Sequence, residues 1–192
     1  MSGIISDNFD KDSGLIKSGV SSYDDNKIQT NIALIGFKTA INEDLVKYNL
    51  VDQTIDEYED ASGVDAGAST NEVLTSSYYH GNESNLTLQS NDTTAEAVPT
   101  YADMVCLIED GAGTATLNTD IKGFVSRDSG SNFTEGSFTN EGSWGTNKKI
   151  ITFHDLDISG QPSGTSVCYK ITTHNQSGSK ITRIHATSIG WK

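Results

Sequence analysis

The residues best suited to acid–base or metal chemistry are four histidines, His80, His154, His174 and His185, and they are scattered along the chain with no H-E-x-x-H or closely spaced pair. That spacing predicts neither a zinc site nor a tightly bound metal. No G-x-S-x-G elbow is present, and serine is so abundant that any histidine would have one nearby, so a nucleophilic triad is not indicated. Both phosphate-cradling glycine motifs are absent; Gly111 and Gly113 form a G-x-G that reads as a hairpin turn. Asp155 and Asp157 stand at i and i+2 on one side of a predicted strand, roughly 6.5–7 Å apart, a separation that suits two catalytic carboxyls only inside a concave groove. Capping of a turn at the strand end is the preferred reading. No catalytic, cofactor-binding or metal-binding residue is therefore assigned, and no cofactor is expected.

Carboxylates also gather at Asp52, Asp56, Glu57, Glu59, Asp60 and Asp65. Hard cations take several oxygens from one loop, but the alternate-position ligands, central glycine and closing glutamate of an EF-hand loop are missing. A solvated acidic connection fits better. Four aromatic residues, Tyr78, Tyr79, Trp144 and Trp191, are candidates for stacking on pyranose rings, with Asn and Asp supplying hydrogen bonds. Cys106 and Cys168 lie in strand-like runs 62 positions apart, which fits buried free thiols, a bridge between neighbouring strands being the alternative.

The elements that would position these groups change character along the chain. Residues 1–26 mix Ser, Gly and Asp with Ile4, Ile5, Phe9, Leu15, Ile16 and Val20, at no regular period. They predict an extended attachment arm whose apolar residues need a surface supplied by another subunit. From Lys27 to Tyr48 the positions Leu34, Phe37, Ile41, Leu45 and Tyr48 recur at helical spacing, widened by Ile28, Ile32 and Ile35. The helix opens a helical and acidic connecting region, 27–98, with one further strand at Asn85–Gln89. After Pro99 the pattern alternates apolar with polar in runs separated by turn residues. Strands are predicted at Ala102–Glu109, Asp120–Arg127, Asn132–Phe138, Lys149–Leu156, Ser166–Thr173 and Thr182–Trp191. The fold expected is mainly β: an antiparallel, jelly-roll-like β-sandwich over 99–192, preceded by the arm and a short helical segment.

The 192 residues include 23 Ser, 21 Thr, 14 Asn and 18 Gly, which favours turns and half-solvated strands over helical bundles. A formal charge of −13 excludes the basic patch of a nucleic-acid binder and disfavours anionic membranes. Residues 1–100 hold 17 acids and 5 bases, whereas 101–192 hold 9 and 8, so the acidity belongs to the first half. The start, MSGIISDNFDKDSG, predicts no secretory signal, and no apolar run is long enough to span a bilayer.

Two blocks carry a family likeness. Asn31–Glu72, NIALIGFKTAINEDLVKYNLVDQTIDEYEDASGVDAGASTNE, resembles a recurring segment of virion structural proteins of marine bacteriophages. Met104–Trp191, with IEDGAGTATLNTDIKGFVSRDSG, DISGQPSGTSVCYKI and RIHATSIGW, resembles the β-sandwich that closes many tail-associated, fibre-like and head-associated members. The resemblance implies a non-enzymatic virion structural protein, a head decoration, fibre or tail component folded in the host cytoplasm. It further implies assembly through the N-terminal half with other virion proteins and with its own copies, a trimer being favoured. The alternative is a module that attaches the particle to host-surface glycans. Neither nucleic acid nor a membrane is expected as a partner.

Overall fold

The computed structural model describes residues 25–192, with side chains from Thr30 onward, and two short backbone segments upstream. Those segments, β1 (Phe9–Asp10) and β2 (Leu15–Ile16), pair antiparallel with Phe9 opposite Ile16. The side chains of Ile4, Ile5, Phe9, Leu15, Ile16 and Val20, on which the attachment arm depends, lie outside the described residues.

The helix α1 runs from Asp25 to Lys47. Ala33, Phe37 and Ile41, four residues apart, form its buried stripe. Ile32 and Ile35, expected to widen that stripe, face outward instead, 44% and 65% exposed, while the acidic Asp44 takes the next inward position. No helix among the described residues is long and apolar enough to cross a membrane.

The remaining strands build the expected antiparallel sandwich. The larger sheet contains β11 (Thr139–Ser143), β12 (Lys148–Asp157), β8 (Tyr101–Ala112), β14 (Ile181–Trp191), β5 (Tyr78–His80) and β4 (Val73–Thr75), in that order, and β3 (Asp52–Asp56) also pairs with β14. The smaller sheet runs β10 (Thr134–Gly136), β9 (Ile121–Ser126), β13 (Ser166–Thr173) and β6 (Thr87–Gln89), with β7 (Thr93–Thr94) also on β13. The stretch expected as a connection thus supplies β3–β7 to both sheets. It also sends Tyr58, Tyr79, Leu86, Leu88 and Ala95 into the common core.

Alternation sorts the strand residues between two cores. Along β8, Ala102, Met104, Cys106 and Ile108 point between the sheets, whereas Val105 and Leu107 point outward, where they meet Phe37 and Ile41 of the helix with Ile150 and Ala186. The inner core holds a buried hydroxyl relay: the Tyr58 hydroxyl donates to Thr187 Oγ1 at 2.7 Å and shares a 3.0 Å hydrogen bond with the Tyr169 hydroxyl. Beyond the sandwich edge, Arg127 donates to the carbonyls of Pro99, Ser159 and Pro162, stapling the 158–163 turn to the start of β8. The outer core is a narrow apolar strip under α1, and the charged residues collect at its two ends.

Candidate functional site

At one end of the strip, the C-terminal half of α1 overhangs β11 and β12 and leaves a cleft of about 360 Å³. Its walls combine Thr39 and Glu43 from the helix and Tyr48 just past its end with Glu141, Thr152 and His154 from the strands, and the indole of Trp144 forms one side. Trp144 sits in the β11–β12 hairpin, held by its backbone N–H donating to Lys148 O at 3.0 Å. Its ring lies against Gly36 of the helix, where a Cβ would stand 2.4 Å from the ring carbons Cδ2 and Cε3. Only glycine lets helix and indole approach so closely. Trp144 remains 37% exposed.

The inner end of the cleft is ionisable. Pairing of β12 with β8 is regular up to Phe153 and resumes at Leu156, and the bulge between them places Asp155 at φ +49°. Asp103, 1% exposed in the outer face of β8, accepts from the Asp155 N–H through Oδ1 at 2.8 Å and faces His154 Nδ1 through Oδ2 at 3.1 Å. Asp44 Oδ2 approaches the same nitrogen at 3.5 Å. The Tyr48 ring stacks on the imidazole at 4.2 Å and 10°, fixing its plane. Burial lifts the Asp44 carboxyl to about 6, His154 opposing the rise and Asp103 adding to it. Burial alone would lower His154, but the hydrogen bond to Asp103 and the charge of Asp44 outweigh it and raise its pKa.

The opposite end of the strip is a structural ion cluster. Glu109 receives Lys148 at 2.9 Å, His185 at 2.8 Å and Arg183 at 2.6 Å. Burial acts to raise Glu109, yet the hydrogen bonds from His185 and Lys148 prevail and hold it at about 2. Arg183 also lies over the Tyr78 ring at 5.0 Å.

These placements separate the four aromatic candidates. Trp144 lines the cleft; Tyr78 is half-buried and engaged by Arg183 and His185. Tyr79 and Trp191 are corrected from platforms to core residues, 2% and 1% exposed, because each lies on the inward phase of its strand. Asp157 accepts from the Ser159 N–H at 2.9 Å, the turn-capping role expected of the strand end, whereas Asp155 pairs with Lys192 at 2.7 Å. Much of the acidic segment serves local turns: Asp56 Oδ1 accepts from the Tyr58 N–H, its buried Oδ2 having no hydrogen-bond partner among the described residues, Asp60 accepts from Ser62 and Asp65 from Gly67, while Glu57 pairs with Lys38. Cys106 and Cys168 are free and buried, in different sheets.

Asp44, Asp103 and His154 were not singled out as a group by the sequence, although each leaves a trace there. Asp44 is in helical phase with Phe37 and Ile41, and Asp103 interrupts the apolar run of β8. A carboxylate at a core position is a signal in its own right.

No family model and no curated protein matches this chain. Among solved structures, the xylan-binding module CBM86 of the gut symbiont Roseburia intestinalis is similar over 73% of this chain and 96% of its own, at 10% identity and a TM-score of 0.38. The exoplasmic/lumenal domain of VIP36, solved in a form bound to Ca2+ and Man3GlcNAc, matches over 73% and 88%, at 12% identity and a TM-score of 0.43. The enzymatically active domain of tailspike protein 4 of bacteriophage CBA120 matches over 79% of this chain but 21% of its own, at 12% identity and a TM-score of 0.38. Similarity this distant transfers neither ligand nor activity.

Proposed function

We propose that this chain is a non-enzymatic carbohydrate-binding module that seats a neutral sugar in the cleft between α1 and the β11–β12 hairpin. The observation that carries the reading is Trp144, an indole pinned against Gly36 yet 37% exposed where it lines the cleft, beside the carboxylates of Glu43 and Glu141. The apolar face of a pyranose stacks on such a ring, and its hydroxyls donate to carboxylates at the rim. The net charge of −13 and the cleft's own carboxylates disfavour sulfated or uronic glycans. The resemblance to phage virion proteins supports the setting: a particle component, folded in the host cytoplasm, that touches host-surface glycans.

A glycan array with the purified chain tests the reading, with Trp144→Ala beside it. Binding to neutral glycans that falls at least tenfold in the variant is expected. A wild-type chain that binds no glycan, or a variant that binds as well, would overturn it.

A second reading, a virion structural part assembled through its N-terminal half, is favoured by a separate observation. Ile32, Ile35 and Val46, 44%, 65% and 80% exposed, share the outward face of α1. Sedimentation of the full chain against a chain lacking residues 1–26 tests it: an oligomer, a trimer by expectation, should be lost with the arm. An oligomer that survives the deletion would move the contact onto the helix.

A further inference from the structure

Three side chains with metal-ligating atoms converge at the inner end of the cleft from three separate elements: Asp44 from α1, Asp103 from β8 and His154 from β12. One ligand atom from each lies within 4.8 Å of the others. The two closest approaches, Asp103 Oδ2 and Asp44 Oδ2 to His154 Nδ1, are 3.1 and 3.5 Å. Ligands held at about 2.0–2.2 Å from a tetrahedral ion stand roughly 3.3–3.6 Å apart; Asp44 Oδ2 already stands at that spacing from the imidazole, and Asp103 Oδ2, hydrogen-bonded to it here, needs to open by only a few tenths of an ångström.

An independent feature points to a cation in the same place. Asp44 is 9% exposed, and its Oδ2, the oxygen turned toward His154, is buried with no hydrogen-bond partner among the described residues. A buried carboxylate oxygen without a donor is costly, and an ion in contact with it removes that cost. The surroundings also orient the ligands as metal sites do: the Asp155 N–H holds Asp103 through its other oxygen, and the Tyr48 ring holds the imidazole plane.

We propose that Asp44, Asp103 and His154 bind one divalent transition-metal ion of the zinc or manganese type. An imidazole donor beside two carboxylates suits these ions, whereas calcium calls for six or more oxygens. Glu141 lines the same cleft as Asp44 and His154. Histidine spacing in the sequence argued against any metal; the helix and the β12 bulge gather what the sequence scatters. The inference stands whether or not the cleft takes a sugar, and its test uses metal alone.

Protein stripped with EDTA is titrated with Zn2+ and with Mn2+ by calorimetry at pH 7.5, beside Asp44→Asn and His154→Gln. One equivalent per wild-type chain, a raised Tm at saturation, and an affinity at least tenfold weaker in each variant are expected. No uptake by the wild type, or uptake unchanged in both variants, would overturn the proposal. Should the variants fail to fold, anomalous scattering from zinc-soaked wild-type crystals decides. A peak between the three side chains supports the site; a peak elsewhere, or none, rejects it.

Discussion

Replacing Glu109 by Gln removes the one anion on which Lys148, His185 and Arg183 converge, and keeps the side chain's shape. The carboxyl is held at about 2 against an ordinary 4.5, a shift worth about 3 kcal/mol at roughly 1.4 kcal/mol per unit. Solvent near the open side of the cluster screens part of that, leaving about 2 kcal/mol. Lys148, only 7% exposed in its side chain, would then lie buried without a counter-charge, which acts in the same direction. Urea unfolding at pH 7 should show the variant less stable by about 2 kcal/mol, and its Tm should fall by roughly 4–8 °C for a chain of this size. The pH dependence follows from the direction of the shift. A depressed carboxyl contributes its full stability above the unfolded value near 4.5 and loses it as pH falls through about 2. The gap between wild type and variant should therefore be constant from pH 7 to 5 and shrink steadily between 4.5 and 2.5. A gap below about 0.5 kcal/mol at pH 7, or one that does not change down to pH 2.5, would refute the reasoning.

Gly36→Ala ought to stabilise an isolated helix by about 1 kcal/mol, but here its Cβ would meet the Trp144 ring at 2.4 Å. Lower stability and a shifted indole fluorescence maximum are expected; a more stable variant with unchanged fluorescence would contradict the packing. Tyr58→Phe removes the hydroxyl shared with Thr187 and Tyr169 in the core and should cost about 1–3 kcal/mol in denaturant unfolding, with no change speaking against the relay. Burial pushes both cysteine thiols up to about 12, with the nearby Asp92 adding to the shift at Cys168. At pH 8 the native protein should resist a thiol reagent, and both thiols should react on unfolding without prior reduction. Labelling of the native state faster than global unfolding would count against that burial.

Strand legibility in this chain followed burial. Ser166–Thr173 has the same limits in sequence and structure, because its apolar residues alternate onto a core that covers them. The strands β3, β4 and β11 were not read: DQTID and TNEGS are largely polar, VLT is only three residues long, and all three are stabilised by pairing to a neighbour more than by burial of their own side chains. Trp191 lies two residues from the buried Ile189, so strand alternation alone could have assigned it to the core. The ionisable group at the cleft is a different matter. Asp44 and Asp103 are visible one at a time as carboxylates in apolar phase, but their meeting with His154 depends on where α1 crosses the sheet and on a bulge that no local pattern specifies.

The strand β14 pairs with β8 on one side and with β5 and β3 on the other. A ribosome that has polymerised the first 180 residues has therefore made the larger sheet in three unconnected pieces: β11, β12 and β8 in one, the β4–β5 hairpin in another, and β3 by itself. At roughly 5–20 residues per second the 11 residues of β14 take about 0.5–2 s to add, and until then the facing edges of β8 and β5 are unpaired and open to the wrong partner. Only the emergence of Ile181–Trp191 joins the pieces, so premature termination or a nick before Ile181 removes the seam of the sheet rather than its hem.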